Sequence, residues 1–438
     1  MITNGKDCFM KKVLCMFGIM IVLILAISAN VMADSLFRSG FNYLSAPANS
    51  LLNPGNFMDL NNHIFFTSDI TYRMAPIKLT DHLELSFTDH LYYCWNESKN
   101  EIKNRMNELF VTYAPNETVF VDIGKVMVTK GVGFFKNPAD FLVLNSNDVA
   151  LFDSFDGRSL FLEGRTMIRT QFFLPRIGID LIYSPQITWD ESGNSLLNYL
   201  SSRQSNSISF INMSGNIDNI DLNGTICYDR IWKLGFNVSS VIGESFEVHM
   251  ESALEEKWDQ KVLKDYISVL DPDAGLLTVT QNWTPSIIIG GHYTLKNGSN
   301  FMVEYFYNGK GYNANEWFGV LDRCETSFYN YSDPLKKNDS LLFFSAMGSL
   351  VDYYGIPGMV KHYAMLRYFT KMNPKTQIEI ININNLVDLS GIGLFQLKYG
   401  KNNYVFYTNV SLPYGNQKSE FKLMNENYIV RLGMEINF

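Results

Sequence analysis

The side chains that could do chemistry in this 438-residue chain form no recognised catalytic or metal-binding motif. None of the six histidines falls in an HExxH spacing, and no GxSxG sequence is present. The alternating residues Glu247, His249 and Glu251 could bind a metal or act as an acid–base group if a partner faced them. Three alternating polar residues are more simply explained as the solvated face of a strand. We therefore expect no enzymatic activity, no metal and no cofactor.

A dense set of charges lies in the segment 131–158, GVGFFKNPADFLVLNSNDVALFDSFDGR. This segment also holds several apolar residues that an exposed loop should not display. If the chain encloses a pore, we expect the loop to fold inward and narrow it, with packing of its apolar residues on the inner wall or rim as the alternative. The charged residues that would line this constriction are Lys136, Asp140, Asp148, Asp153, Asp156 and Arg158, with Glu163, Arg165 and Arg169 of the following strand.

The elements that would enclose such a pore are strands, and the C-terminal segment 428–438, YIVRLGMEINF, shows their pattern best. Its even positions are apolar, and its odd positions from Arg431 onward are polar or glycine. Successive side chains of a strand point to opposite faces, so one face is apolar and the other polar. Because similar segments recur along the chain, the pattern predicts transmembrane β-barrel strands, apolar towards lipid and polar towards a lumen. An edge strand of a soluble β-sandwich is the alternative.

The polar faces of the predicted strands carry charges of both signs. The basic residues are Arg165, Arg169, Lys233, Lys361, Arg367 and Arg431, and the acidic ones are Glu84, Glu163, Glu247, Glu251, Glu304, Glu379 and Glu435. Of these, Glu304, Lys361, Arg367, Arg431 and Glu435 complete the predicted pore-lining set. Charges so nearly balanced give no strong fixed field; they could steer ions by their placement or bridge one another and stiffen the wall.

Short and long connections alternate along most of the chain, as expected when tight turns face the periplasm and longer loops face outside. Long connections are predicted at 131–158, 187–204, 256–283 and 310–357. Counting back from the last strand gives seventeen strands, the first at 62–73, and an even number requires one more within 35–46. We predict an all-β, transmembrane antiparallel β-barrel of about eighteen strands, with sixteen as the alternative. At two places, near Ile380 and at Gly124, the polar side chains change from one set of alternate positions to the other, and we predict a bulge at each.

The N-terminus has the pattern of an export signal. Two lysines precede an apolar run at 13–27, and Ala33 provides the small residue that signal peptidase requires. We predict a cleaved signal peptide at 1–33 and a single barrel domain at 34–438, with an uncleaved anchor helix as the alternative. No later run of about 20 apolar residues exists, which argues against a helical membrane protein. The excess of 44 acidic over 36 basic residues argues against nucleic acid as a partner.

Three consecutive pieces of the chain form a characteristic succession: ELFV at 108–111, VDIGK at 121–125, and the segment 131–141 with its Asn-Pro-Ala-Asp run. This succession resembles outer-membrane porin-like proteins of the alginate-export and substrate-selective porin type, in which a strand with "vGk" or "vGr" leads into a glycine- and proline-containing loop. The segment EYFYNGKGY at 304–312 and the closing strand that ends in phenylalanine are also similar. A tryptophan that often precedes the loop glycine in those proteins is replaced here by threonine and lysine. The resemblance implies an outer-membrane barrel rather than a particular cargo.

These observations favour one function over two alternatives. An outer-membrane porin would let small polar or ionic solutes diffuse passively, with selectivity set by pore width and the inward loop. A structural or adhesive surface protein would instead use its long loops at 256–283 and 310–357 to contact something outside, and a barrel hydrolase comes third. The expected partners are outer-membrane lipid, small solutes and the barrel-assembly machinery, which would bind the strand ending at Phe438. A homo-oligomer is compatible with the sequence.

Overall fold

The computed structural model describes residues 35–47, 49–95, 100–142, 163–187, 204, 206–265, 267, 275–424 and 426–437. The predicted signal peptide at 1–33 and the terminal Phe438 lie outside these ranges. So do four of the predicted constriction residues, Asp148, Asp153, Asp156 and Arg158.

The described chain consists mainly of β-strands. They are β1 Leu36–Ser45, β2 His63–Arg73, β3 Ile77–Thr80, β4 Leu83–Trp95, β5 Asn100–Asn116, β6 Val119–Val126, β7 Arg165–Phe173, β8 Ile177–Ser184, β9 Ile208–Ile217, β10 Ile220–Tyr228, β11 Trp232–Ile242, β12 Phe246–Leu263, β13 Leu276–Thr294, β14 Asn300–Asn308, β15 His362–Asn373, β16 Thr376–Asn385, β17 Gly391–Lys401, β18 Tyr404–Tyr414 and β19 Tyr428–Asn437. Two α-helices, α1 Ala314–Asn330 and α2 Lys337–Tyr354, separate β14 from β15, and single 3₁₀ turns occupy Pro54–Asn56 and Glu420–Lys422.

These strands form one closed antiparallel barrel. Each strand pairs with its neighbours in the chain, and β1 pairs with both β2 and β19, which closes the ring. The short β3 follows β2 on the same edge of β4, so β2 and β3 together form one wall strand. The wall therefore has eighteen strands, which confirms the predicted number and the predicted first strand within 35–46. The alternative of sixteen strands is wrong.

Alternation along each strand produces two chemically different surfaces. In β19 the side chains of Arg431 and Glu435 are buried, while Leu432 is 55% exposed on the opposite face. In β9 Asn212 is buried between the exposed Ile211 and Met213. The exposed face of the wall is therefore apolar and the enclosed face polar, as expected of a barrel that sits in lipid.

The connections differ in length at the two ends of the barrel. Tight turns such as 117–118, 218–219 and 402–403 lie at the end where β1 begins and β19 finishes. Most of the long connections lie at the other end. Two of the predicted long loops nevertheless differ from the expectation.

The segment 256–283 was predicted as a loop, and most of it is strand. β12 continues to Leu263 and β13 starts at Leu276, and the two strands stay in register throughout. Cross-strand pairing supplies the reason: β-branched Val279 and Thr280 lie opposite Gln260 and Asp259, and such residues favour a strand even where it rises beyond the barrel wall.

The segment 310–357 was also predicted as a loop, but it contains α1 and α2. Asn313 caps α1 by accepting a hydrogen bond from the Glu316 amide, and Glu316 accepts one from the Asn313 amide in return. The buried residues of α1 are Trp317, Val320, Leu321 and Cys324, whose spacing of three and four residues defines one helical face.

The two predicted phase shifts have different outcomes. No bulge exists at Ile380, because β16 stays in register with both neighbours; instead Ile381 and Ile383 face inward into an apolar cluster. The outward Asn382 accepts a hydrogen bond from Tyr414 Oη at 2.7 Å, which satisfies its polar group. At Gly124 the pairing also stays in register, but a φ of 136° turns the strand, so that Asp122 and Lys125 are both buried.

The apolar cluster fills the long-loop end of the barrel on one side. It joins α1 and α2 to wall residues such as Ile383 and Leu394, and to Leu51 and Phe421 from two other long connections. We call α1, α2 and these packed connections the outer cap. Among the described helices, none is both long enough and apolar enough to cross a membrane.

Candidate pore and its loop

The structure distributes the described members of the predicted site over the interior of the barrel. Lys136 and Asp140 lie in the connection after β6, and Glu163 lies just before β7. Arg165 begins β7 and Arg169 lies at its middle. The others are Glu304 on β14, Lys361 just before β15, Arg367 on β15, and Arg431 and Glu435 on β19. They therefore do not form one cluster, and each must be described with its own neighbours.

The wall formed by β6 to β8 carries an ion-pair network. Lys125 pairs with Glu163, Lys130 Nζ lies 2.7 Å from Asp180 Oδ2, and Arg169 Nη2 lies 3.1 Å from Asp180 Oδ1. Lys125, Lys130 and Asp180 were not among the predicted residues. Their identification requires knowing which strands are adjacent. In the same wall Arg165 Nη2 donates to the carbonyl of Asn206 at 3.3 Å.

A second network lies where the barrel closes. Arg38 Nη2 is 3.0 Å from Glu435 Oε1, and Lys398 Nζ is 3.3 Å from Glu435 Oε2. Arg431 Nη2 donates to Thr67 Oγ1 at 3.1 Å. Wall charges in both networks thus bridge one another, as one of the two interpretations of the sequence expected.

Residues 127–142, which include the described part (131–142) of the predicted constriction loop, lie against the interior face of the barrel. We call this segment the lumen loop. Glu251 of β12, fully buried, holds it by three backbone hydrogen bonds. Its Oε2 accepts from Val132 N at 2.8 Å and from Gly133 N at 3.3 Å, and its Oε1 accepts from Ala139 N at 2.7 Å.

A second carboxylate, that of Glu304 on β14, completes this attachment; β14 lies two strands beyond β12 in the wall. Glu304 accepts hydrogen bonds from the amides of Phe134 and Phe135, each at 2.7 Å. His249 Nε2 lies 2.8 Å from Glu304 Oε1. The expectation that Glu247, His249 and Glu251 form a solvated strand face is therefore wrong for His249 and Glu251, because the lumen loop covers them.

The path of the lumen loop takes it across the barrel. It leaves the wall at β6 and reaches its carboxylate partners on β12 and β14, six and eight strands further round the ring of eighteen. Beyond them, the guanidinium of Arg367 lies 4.5 Å from the ring of Phe134 and pairs with Glu379 of β16. Opposite sides of the interior are thus linked through this one segment.

Glycines allow the loop backbone to approach the carboxylates this closely. Gly131 has a φ of 126°, and a Cβ there would lie 2.7 Å from Glu251 Oε2. At Gly133 a Cβ would lie 2.1 Å from the carbonyl oxygen of Lys136. The GVG sequence of the loop is therefore a requirement of its attachment.

Asp140 is the one loop carboxyl group near these attachments whose protonation is strongly altered. Burial, together with the negative charge of Glu251, raises the pKa of Asp140 from 3.8 to about 7, and hydrogen bonds from backbone amides oppose the change. The predicted neighbour Lys136 lies over the Phe135 ring, with 5.8 Å between its Nζ and the ring centroid. Lys361 lies at the foot of the outer cap, where its amide donates to the carbonyl of Tyr312 at 3.1 Å.

Within the described ranges, no group of three or more histidine, cysteine, aspartate or glutamate side chains is arranged to hold a metal ion. The geometry instead defines a wide antiparallel barrel, apolar outside and charged inside, whose interior is crossed by a loop anchored to the wall. This is the architecture of the large transmembrane β-barrels.

Solved structures of this architecture resemble the chain. OccAB1 of Acinetobacter baumannii matches with a TM-score of 0.54 and 11% identity, over 92% of this chain and 95% of the other. OccK5 (OpdH) of Pseudomonas aeruginosa matches with a TM-score of 0.52 and 10% identity, over 92% of this chain and 97% of the other. At such low identity the likeness shows the fold alone. No family model matches the sequence, and no curated protein matches it.

Proposed function

We propose that the protein is an outer-membrane channel through which small polar or ionic solutes diffuse passively. The observation that carries this proposal is the attachment of the lumen loop to Glu251 and Glu304, because a loop held across a charged interior narrows a pore without closing its wall. OccAB1 and OccK5 are outer-membrane porins, which supports the same function for a barrel of this fold. A substrate-selective or alginate-export type remains a prediction from the sequence.

The lumen loop and the wall residues facing it would form the narrowest part of the channel. Its candidate lining comprises Lys136, Asp140, Glu163, Arg165, Arg169, Glu304 and Arg367, with Arg431 and Glu435 on β19. Because most of these charges are paired within the wall, we expect passage to depend more on solute size than on the sign of its charge.

Liposome swelling tests this function against its alternative. Full-length protein in lipid vesicles should admit small sugars and exclude larger ones, and the rate should fall smoothly with sugar size. A folded barrel that admits no sugar would favour the structural or adhesive alternative, for which the outer cap would supply the contact surface.

Export by a signal peptide, interaction with the assembly machinery and homo-oligomer formation also remain predictions.

Replacing Arg169 by alanine should change the ion preference of the channel. The substitution leaves Asp180 with Lys130 as its remaining ion-pair partner and adds net negative charge to the wall. We expect the cation-to-anion permeability ratio to rise about twofold. Reversal potentials in a salt gradient measure this ratio. Unchanged ratios in Glu163→Ala, Arg165→Ala and Arg169→Ala would contradict the assignment of this wall to the constriction.

The pKa of Asp140 makes a further prediction about pH. With a pKa of about 7, this carboxyl group is mainly neutral at pH 6 and mainly charged at pH 8, so the lumen loop gains a negative charge between these values. Cation preference should therefore rise about twofold over this interval. Asp140→Asn should abolish most of the rise. An equally large rise in that variant would place the titrating group elsewhere.

A further inference from the structure

The paired strands β12 and β13 extend beyond the barrel wall. The last pair between β11 and β12 is Lys233 with Glu255, and β14 first pairs with β13 at Ser286. From the pair of Lys257 with Asn282 to the pair of Leu263 with Leu276, the two strands pair only with each other among the described residues. We call residues 257–263 and 276–282 the outer hairpin. It rises about 20 Å on the long-loop side.

One edge of the outer hairpin is covered. Backbone carbonyls along β12 accept hydrogen bonds from side chains of the outer cap: Asp259 O from Tyr353 Oη at 2.6 Å, Lys261 O from Tyr312 Oη at 2.5 Å and from Tyr354 Oη at 3.1 Å, and Leu263 O from Arg323 Nη1 at 3.3 Å. The outer cap therefore occupies the outward-facing carbonyl groups of this edge.

The same contacts determine which groups of β13 face the other edge. Since the carbonyls of Asp259 and Lys261 point away from β13, these residues form non-hydrogen-bonded pairs with Thr280 and Thr278. In such a pair the amide and the carbonyl of each residue point away from the partner strand. The amides and carbonyls of Thr278 and Thr280 therefore lie along the edge of β13 that faces away from β12, which we call the far edge. Over the described chain, no strand or side chain pairs with this edge.

The far edge lacks the features that usually protect an edge strand. The outer part of β13, residues 276–282, contains no charged residue and no proline, and Leu277, Val279 and the adjacent Trp283 are 49%, 47% and 48% exposed. Natural edge strands are commonly blocked by charges, by proline or by a covering segment. Here β12 has both charges and a cover, and the outer part of β13 has neither.

We propose that this edge of β13 binds an extended segment of another protein as an additional antiparallel strand outside the membrane. Backbone hydrogen bonds to Thr278 and Thr280 would supply affinity, and alternate side chains would supply selectivity. One face of β13 carries the apolar side chains of Leu277 and Val279, and on the other face Lys261 Nζ donates to Thr278 Oγ1 while Thr280 Oγ1 donates to Asp259 Oδ1. The fitting partner is uncharged over about six residues and alternates apolar with hydroxyl side chains.

A second copy of this chain fits the edge less well. Two copies in one membrane share the same outward direction, so their β13 strands would meet in parallel. Parallel pairing is less stable per residue and is found mainly where both faces of a sheet are covered, whereas residues 277–280 of β13 are exposed on both faces. A segment approaching from outside can take the antiparallel direction. This inference does not depend on transport through the barrel.

The test uses the full-length protein in nanodiscs and a fluorescent, end-capped peptide of sequence KTVTVTVK. Thr280→Pro removes the outward amide but leaves the ladder between β12 and β13 intact, because that ladder does not use this amide. Thr280→Ala removes the same hydroxyl and keeps the amide. We expect peptide binding to weaken at least about tenfold in Thr280→Pro and to change less than about twofold in Thr280→Ala.

Hydrogen exchange supplies the second readout. Peptide binding should slow exchange of the amide of Thr280 and leave the tight turns unaffected, and channel conductance should stay unchanged in both variants. Equal binding to both variants, or no binding by the natural sequence at about 1 mM peptide, would overturn the proposal. Dimers that form without peptide and disappear in Thr280→Pro would overturn the choice of partner.

Discussion

Replacing Glu251 by alanine is expected to raise the single-channel conductance about two- to fivefold. The carboxylate of Glu251 is fully buried and accepts three backbone hydrogen bonds from the lumen loop. Hydrogen bonds to a charged group contribute about 1.5–3 kcal/mol each, and the unpartnered amides add a further cost, so loss of Glu251 should release the loop from the wall. Recordings in planar bilayers measure the change.

A matched control lies on the same strand face. Glu247 carries the same charge but pairs with His292 at 3.4 Å, and its side chain is partly exposed. Glu247→Ala removes an equal charge without touching the described lumen loop, so its conductance should stay close to that of the natural protein. If Glu247→Ala and Glu251→Ala conduct equally, the loop is not held in the way we describe.

Replacing Glu420 by alanine should loosen the outer cap. Glu420 is fully buried and accepts hydrogen bonds from Tyr363 Oη at 2.6 Å, Asn385 Nδ2 at 2.8 Å, Met359 N at 2.9 Å and Gly358 N at 3.1 Å. Its removal leaves four donors in an apolar cluster, which costs about 3–5 kcal/mol by analogy with broken buried pairs. We expect limited proteolysis to cut between α1 and α2 in this variant and to spare the natural protein.

Glu325 provides the control for this experiment. This residue of α1 pairs with Lys418, but both side chains are partly exposed to solvent. Exposed ion pairs contribute about 0–1 kcal/mol, so Glu325→Ala should leave the protease resistance almost unchanged. Similar cleavage of both variants would mean that Glu420 does not hold the cap.

The protonation of Glu420 gives the same test a pH dependence. Burial raises the pKa of Glu420 from 4.5 to about 7, against the opposing hydrogen bonds from Tyr363 and the backbone. A carboxyl group with a raised pKa contributes most to stability below its ordinary pKa, and that contribution is lost as the pH rises through about 7. Protease resistance should therefore decline between about pH 5 and pH 8, and Glu420→Gln should show a flatter profile.

The wall of the barrel was predictable because its signal is local. Alternation alone placed Arg431 and Glu435 on the enclosed face of β19 and Leu432 on the lipid face, as the structure has them. The connection lengths then set the number of strands, because each tight turn forces its two neighbours into antiparallel pairs. No knowledge of distant contacts was needed for either step.

The attachment of the lumen loop was not predictable in the same way. Glu251 meets Val132 and Ala139 across more than a hundred residues of sequence, and nothing near Glu251 in the chain distinguishes it from a solvated glutamate. The sequence did show an apolar loop that needed cover and a row of polar residues on one strand. The loop and this polar row are far apart in the chain and become neighbours only in the closed barrel.

Two other differences between the prediction and the structure arose because the two-residue period of a strand was assumed along the whole chain. Trp317, Val320, Leu321 and Cys324 have the spacing of a helical face, but they lie in a segment that strand alternation could only classify as a loop. The inward Ile383 broke the expected alternation for a related reason: it packs in the cluster beneath those helices rather than against lipid. A search for helical spacing within the long loops would have found the helix, and with it a reason for inward apolar residues on the neighbouring wall.

Single-channel recording of the full-length protein, with and without Glu251, is the most direct measurement of the central claim. The natural protein should insert into planar bilayers with uniform, stable conductance steps, and Glu251→Ala should produce larger steps from the same folded barrel. A natural protein that inserts as a folded barrel and gives no steps would contradict the claim that it is a channel. Steps of equal size in both proteins would contradict the claim that the lumen loop narrows it.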